Sequence, residues 1–192
     1  MPPAGQPDLL HGSVPARSSG FGPKWRSRRR VRAQVRDAER ERAFRARVDA
    51  ARSVISTAVD VVADGWIQNA WYQVRDETDT VRTVTAGNLE LLERGPVVAS
   101  CLVGALVHAA GGRYAARGQA TGDSLDLVWH AAFAEGQRFG VGFCPPPSIR
   151  SVRVLDLTRW NDRPGRCIGQ VLELLDAADD LAIVEATNQR RR

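Results

Sequence analysis

The chain has 192 residues, of which 27 are lysine or arginine and 22 are aspartate or glutamate, so its formal net charge is +5. Its three cysteines show no Cys-x-x-Cys spacing, and its longest apolar runs fall far short of the roughly 20 residues that span a bilayer. We therefore expect a cytoplasmic protein with room for one domain and extensions, no disulfide framework and no membrane partner.

The charge is distributed unevenly along the chain. Residues 1–52 contain 13 basic and 5 acidic residues, net +8, whereas residues 53–189 contain 11 basic and 17 acidic residues, net −6. A basic segment beside an acidic domain suggests an anionic partner, such as nucleic acid or an acidic protein, or an arm that folds back on its own domain. Arginine occurs 26 times and lysine once, which we attribute first to the codon usage of a GC-rich genome.

The N-terminal third predicts a tail followed by one long helix. Residues 1–23 are rich in proline, glycine and serine, which predicts a disordered tail. From about residue 25 to Asp64 the pattern is helical, and the charged part, residues 24–47, is expected to form a projecting basic arm. The second half carries an apolar stripe with alternating spacings of four and three. The stripe consists of Phe44, Val48, Ala51, Ile55, Ala58 and Val62.

The remaining residues predict a compact helical domain over 48–187, followed by a basic tail over 188–192. Gly65 is expected to stop the first helix. Two β-prone runs around residues 76–79 then predict a small β-hairpin. The fold class is therefore mainly α: a compact helical domain with a small β-hairpin and a projecting basic N-terminal helix.

Three further helices are expected within this domain. One runs from Pro96 to Ala110, one begins at Asp123 as its N-cap and reaches about Gly136, and the last begins after Asn161. Residues 136–150 read as a loop, and residues 152–157 as a short strand or the lead-in to the last helix. That helix is expected to bury an apolar face made of Ile168, Val171, Leu172, Leu175, Ala178 and Leu181.

One set of residues could support nucleophilic catalysis. Cys101 falls in the first turn of a predicted helix, where the helix dipole would lower the pKa of its thiol. His130 is the candidate base, Asp126 could orient its imidazole, and Asp162 is the candidate acid. The more ordinary interpretation is that Cys101 fills a compact core position.

A second motif, Trp160-Asn161-Asp162-Arg-Pro164-Gly-Arg, fits a helix start with an aromatic anchor. A polar residue followed by proline predicts an N-cap, and Trp160 is expected to hold the turn against the core. A contact between a ligand and Asn161 or Asp162 is the less favoured interpretation. We therefore expect structural roles for the residues of this motif and for two residues after the first helix: Trp160, Asn161, Asp162, Pro164, Gly65 and Trp66.

The basic arm is the candidate contact with nucleic acid or an acidic partner. Its contact residues are expected to be Arg26, Arg28, Arg29, Arg30, Arg32 and Arg36. Such a helix would bind phosphates without reading sequence, in a salt-sensitive manner. The alternative is a charged helix that is only solvated. No residue spacing indicates a metal site, and no cofactor is implied.

Three segments together are similar to a set of small uncharacterised proteins of actinobacteria and their phages. The segments are Val61-x-x-Asp-Gly65-Trp66-Ile-Gln68-x-Ala-Trp-Tyr, Cys101-Leu-Val-Gly104-Ala105-Leu106 and Trp160-Asn-Asp-x-Pro-Gly-Arg-x-x-x-x-Val171-Leu-x-Leu-Leu-Asp176. This resemblance covers roughly residues 44–182 and implies a mainly helical cytoplasmic protein with no assigned activity. The chain departs from the pattern at Cys167, where a hydroxyl residue is expected, and in its basic N-terminal extension.

These observations favour a non-enzymatic interaction protein whose arm contacts nucleic acid or an acidic partner. The alternative is a cysteine-dependent hydrolase or transferase that uses Cys101 and His130. A third hypothesis is a homo-oligomer formed through the apolar stripe of the first helix.

Overall fold

The computed structural model describes residues 23–85, 87–134 and 145–188. The predicted disordered tail before residue 23, the helix end near Gly136, Cys144 and the basic C-terminal residues after Asn188 lie outside this description. The chain divides into two units, residues 1–38 and residues 39–192.

The described part of the chain is mainly helical, which confirms the predicted fold class. Its α-helices are α1 (Pro23–Asp64), α2 (Leu102–Ala109), α3 (Gln119–Phe133), α4 (Pro147–Asn161) and α5 (Ile168–Asn188). Its strands are β1 (Tyr72–Arg75), β2 (Val81–Val84) and β3 (Val97–Ser100). None of these helices is both long enough and apolar enough to cross a membrane.

The strands form one antiparallel sheet in the order β2-β1-β3, with Tyr72 opposite Val84 on one side and Ser100 on the other. The hairpin of β1 and β2 is confirmed, but the helix predicted from Pro96 is wrong in its first part. Residues 97–100 instead extend along β1, where their backbone groups complete the ladder of an otherwise marginal hairpin. The helix itself begins only at Leu102.

The apolar stripe of α1 packs into the core of the domain. Its central members, Val48, Ala51, Ile55, Ala58 and Val62, are all buried. They join one cluster with apolar side chains of α2, α3, α4 and α5. Because the chain itself covers this stripe, self-association through it does not follow, and that hypothesis is corrected.

The third predicted helix begins earlier than expected. α3 starts at Gln119 after Gly118, so Asp123 lies inside the helix and does not cap it. The side chain of Asp123 is fully buried and receives two hydrogen bonds of 2.9 Å from the guanidinium of Arg47. Asp123 therefore forms a long-range ion pair with Arg47, whereas the local sequence pattern predicted that it would cap the helix.

The region before the Trp160 motif is also helical, contrary to the prediction. Residues 152–157 belong to α4, which starts at Pro147 and ends at Asn161, and Asp162 follows as its C-cap residue. The last helix begins only at Ile168. The predicted N-cap at Asn161-Asp162 is therefore wrong: the two residues end one helix, and Gly165, with a φ of +81°, turns the chain toward the next.

The buried face of α5 differs slightly from the predicted one. Its buried residues are Val171, Leu174, Leu175, Ala178 and Ala182. Ile168 is 38% exposed, because it opens the helix, and Leu172 and Leu181 are half-buried.

Candidate functional site

The three sequence motifs meet at the side chain of Asn161, which is completely buried. Its Oδ1 accepts a hydrogen bond of 2.8 Å from Trp66 Nε1 and one of 3.1 Å from the backbone N–H of Leu102. Its Nδ2 donates to the carbonyl of Ile67 at 3.1 Å and to Asp162 Oδ1 at 2.8 Å. One amide thus uses all its hydrogen-bonding groups to join the end of α4, the start of α2 and the segment after α1.

Neighbouring polar groups extend this junction. Gln68 Nε2 donates to the carbonyls of Asn161 (2.8 Å) and Arg163 (3.1 Å). Asp162 Oδ1 also accepts from the backbone N–H of Asn69 at 2.9 Å. The side chain of Asp162 therefore has bonding partners inside the domain.

Gly65 allows the segment after α1 to approach β3 closely. The backbone N–H of Ser100 donates to Gly65 O at 2.9 Å, and that of Ile67 donates to Ser100 O at 3.1 Å. A Cβ at Gly65 would lie 2.3 Å from Val98 O. Gly65 does follow the end of α1, as predicted, and this close approach adds a second reason for a glycine there.

The aromatic residue of the motif packs between the core and an arginine. Trp160 is half-buried against the core, which agrees with its expected anchoring role. The guanidinium of Arg166 lies 3.7 Å from the centre of the Trp160 ring, and its Nε donates to Trp160 O at 3.1 Å. Pro164, exposed between them, lies in the turn.

Cys101 is a buried helix cap. Only 2% of its surface is exposed, and its Sγ accepts a hydrogen bond from the backbone N–H of Gly104 at 3.3 Å. Burial raises the pKa of the thiol to about 11, which outweighs the lowering by the helix N–H groups. The expectation that the helix start would favour the thiolate is therefore wrong.

The structure does not join the three residues of the catalytic hypothesis. Among the described residues, no hydrogen bond links Cys101 to His130. Burial, followed by the nearby charge of Arg153, lowers the pKa of His130, whose buried Nε2 has no hydrogen-bond partner among the described residues. Asp162 lies near Cys101, where its negative charge raises the pKa of the thiol further. A catalytic role for Cys101, His130 and Asp162 stays a prediction. The raised pKa of the Cys101 thiol does not favour it.

Asp126, the residue expected to orient His130, belongs instead to a buried charge cluster that the sequence interpretation missed. Asp126 is fully buried and accepts hydrogen bonds from Arg150 (2.8 Å) and Arg153 (2.7 Å) of α4. Arg153 also lies 4.7 Å from the centre of the Trp129 ring. Two aspartates three residues apart, beside the apolar residues Leu125, Leu127 and Val128, were the available signal, since buried carboxylates need cationic partners.

The predicted contact residues of the arm lie in α1. Arg28, Arg29, Arg30, Arg32 and Arg36 are exposed, and the side chain of Arg26 lies outside the description. In the part of the chain that the structure describes, no three His, Cys, Asp or Glu side chains are grouped to hold a metal ion.

The fold and the junction define a class: a small helical domain with a three-stranded sheet, held together where its sequence motifs meet. The chain belongs to a family of unknown function (DUF6197), whose model matches residues 45–181. No curated protein and no solved structure matches the chain. The match confirms the predicted relationship to an uncharacterised family, and the basic segment before residue 45 lies outside it.

Proposed function

We propose that the protein is a non-enzymatic interaction protein whose basic N-terminal arm contacts nucleic acid. The observation that carries this proposal is the exposure of five arginines, Arg28, Arg29, Arg30, Arg32 and Arg36, within nine residues of α1. Residues 23–38 contain seven basic residues and one acidic residue, a net charge of +6. An acidic protein would satisfy the same charge and is the other partner that the experiment below can reveal.

The spacing of these arginines supports binding to a phosphate backbone. Arg28, Arg32 and Arg36 are four residues apart and therefore lie along one face of the helix. At about 1.5 Å per residue they cover about 12 Å of helix length. Such a row can neutralise several phosphates without reading base identity.

The arginines that follow in α1 have a different role, which supports placing the contact early in the helix. Arg47 forms an ion pair with buried Asp123. Arg52 forms a bidentate ion pair with Asp179, with hydrogen bonds of 2.7 and 2.9 Å. Arg45 is paired with Glu41. These three arginines are thus engaged in ion pairs with other residues of the chain.

We also retain a cytoplasmic setting and an actinobacterial or phage origin as parts of the proposal. The arginine-rich, lysine-poor composition supports a GC-rich genome. Cys101 and Cys167 are free thiols, which suits a reducing compartment.

Duplex binding by the full chain tests the proposal. Replacing Arg28, Arg29, Arg30, Arg32 and Arg36 by glutamine should reduce affinity and lower the slope of log K against log salt by about 0.9 for each phosphate that the arm no longer neutralises. Replacing the same five residues by lysine keeps the charge and should keep most of the binding. Equal binding by the wild type and the glutamine variant, or none by either, would contradict the proposal and direct attention to an acidic protein.

A further inference from the structure

A second basic site lies on the domain, in a cleft between the end of α3 and the end of α4. The cleft has a volume of about 260 Å³ and is lined by Phe133, Asp156, Arg159, Trp160 and Arg163. Pockets of about 300–1,000 Å³ hold drug-sized ligands. This cleft therefore suits a smaller group, of the size of a single planar ring system.

The apolar part of the lining is aromatic. Phe133 is 44% exposed at the end of α3, although it is in contact with the ring of Trp129 at a centroid distance of 5.6 Å. Trp160 is half-buried on α4. Aromatic side chains that remain open to solvent at a cleft offer stacking surface, which every nucleobase can use.

The polar part of the lining is cationic and available. Arg159 and Arg163 are exposed, and within the described ranges their side chains form no hydrogen bond or ion pair. Among the described residues of the lining, Asp156 alone is acidic, and it already accepts a hydrogen bond of 3.1 Å from Trp129 Nε1. Because Arg166 lies against Trp160 as well, the described residues around the cleft carry a net positive charge.

A cleft of similar size beside the sheet differs in this respect. It has a volume of about 270 Å³ and contains Arg113. The guanidinium of Arg113, however, is paired with Glu93 and donates to Tyr114 at 2.6 Å. An anion there would have to displace an existing carboxylate, whereas the two arginines of the Phe133–Trp160 cleft have no such partner in the part of the chain that the structure describes.

We infer that the Phe133–Trp160 cleft binds one unstacked nucleotide of a single-stranded nucleic acid. The base stacks on the aromatic lining, and the flanking phosphates pair with Arg159 and Arg163, whose planar forks match phosphate geometry. The inference extends the proposed contact of the arm with nucleic acid, but it rests on different residues and a different form of the ligand. A duplex keeps its bases stacked and cannot fill the cleft.

The test compares a labelled oligothymidylate with a duplex of equal length, using full-length variants and fluorescence anisotropy. The R159Q/R163Q variant should lose about ten-fold in affinity for the single strand and change its duplex affinity by less than about two-fold. The matched control is R94Q/R117Q, because Arg94 and Arg117 are also exposed arginines without a side-chain partner among the described residues. This control removes the same charge and should leave both affinities within about two-fold.

A second variant addresses stacking. F133A should weaken single-strand binding by about ten-fold and leave duplex binding unchanged, because removing a stacked aromatic ring removes no charge. Circular dichroism confirms that the variant is folded. The inference is overturned if R159Q/R163Q and F133A bind the single strand as the control does, or if the wild type does not bind it.

The two proposals can fail separately. In one outcome, the arm variant with five arginines replaced by glutamine no longer binds the duplex, while the cleft variants bind the single strand normally. This result supports the proposed contact of the arm and rejects the proposed site in the cleft. If the cleft variants lose the single strand while the arm variant binds both ligands as the wild type does, the cleft is supported and the arm is rejected.

Discussion

The thiol of Cys101 lies at the start of α2, where it caps the helix and is shielded from solvent. Serine is a preferred residue at such a position, because its hydroxyl accepts the same backbone hydrogen bond more strongly than a thiol does. The location that suggested a reactive cysteine in the sequence therefore explains a structural one. What distinguishes the two cases is burial, which a local pattern does not reveal.

We predict that C101S keeps the stability of the wild type at pH 7 within about 1 kcal/mol and changes its pH dependence. Burial raises the pKa of the Cys101 thiol from 9.0 to about 11. Between pH 9 and pH 11 the folded chain thus keeps a thiol proton that the unfolded chain releases. The contribution of this thiol to the free energy of unfolding is therefore complete below pH 9 and is lost as the pH rises toward 11. The full loss, reached above pH 11, is about 2 to 3 kcal/mol, of which about 2 kcal/mol develops by pH 10.5. Urea unfolding of both proteins at intervals between pH 7 and pH 10.5 measures it.

Tyr72 also contributes to the pH dependence of stability in this experiment. Burial, followed by the nearby charge of Cys101, raises the pKa of the Tyr72 hydroxyl. Both proteins therefore lose some stability at high pH because Tyr72 is buried, and the difference between them contains the direct and the indirect effect of the Cys101 thiol. If the free energy of unfolding depended on pH in the same way for the wild type and C101S, the prediction would be refuted. Alkylation at pH 8 adds a second check, because exposed Cys167 should react while Cys101 remains unmodified. Rapid modification of Cys101 would restore the catalytic alternative.

Elements were predictable where a periodic pattern coincided with burial. The stripe of α1 repeats regularly over 19 residues, from Phe44 to Val62, and the hairpin consists of two β-prone runs around a polar turn. The pattern Asn-Asp-x-Pro, by contrast, suits a helix start and a helix end equally well, since proline is common just inside the first turn and just after the last. A helix start was the prediction, whereas α4 ends there.

The junction around Asn161 was beyond local reasoning because its partners are distant in the chain. Trp66 precedes Asn161 by 95 residues and Leu102 precedes it by 59. The three motifs could be recognised separately, but only the packing of α2 against α4 shows that they share one hydrogen-bond network. Elements are thus joined here by a side chain whose sequence context indicated only a cap.

We predict that N161A destabilises the domain by about 2 to 4 kcal/mol, because Leu102 N–H, Ile67 O and the Trp66 indole lose their partner together. Urea denaturation gives the free energy of unfolding. The matched control is N88A: the amide of Asn88 bonds to Thr85 and Thr83 at distances of 2.6 and 3.2 Å, but in solvent-exposed positions. That variant should cost less than about 1 kcal/mol. If N161A and N88A lost the same free energy of unfolding, the hydrogen bonds of Asn161 would not stabilise the domain more than those of an exposed asparagine.

At the scale of the whole domain, the charges have two distinct roles. The early arginines of α1 are exposed, whereas Arg47, Arg150 and Arg153 converge on the two buried aspartates of α3. Residues of α1 and α4 thereby meet α3 through ion pairs whose carboxylates are fully buried. Net charge alone suggested a uniformly basic arm and an acidic body, because composition does not show which charges are neutralised by folding.

We predict that D126N destabilises the domain by about 3 to 5 kcal/mol, because it removes the buried negative charge that pairs with the partly buried guanidinium groups of Arg150 and Arg153. The control is D179N, which breaks the pair with Arg52; both side chains of that pair are about a third exposed. Water replaces the lost partner there, so the control should cost at most about 1 kcal/mol. Chemical denaturation measures both losses under identical conditions. A loss for D126N no larger than that for D179N would mean that the buried cluster does not tie α3 to α4, and that the apolar core alone holds the domain together.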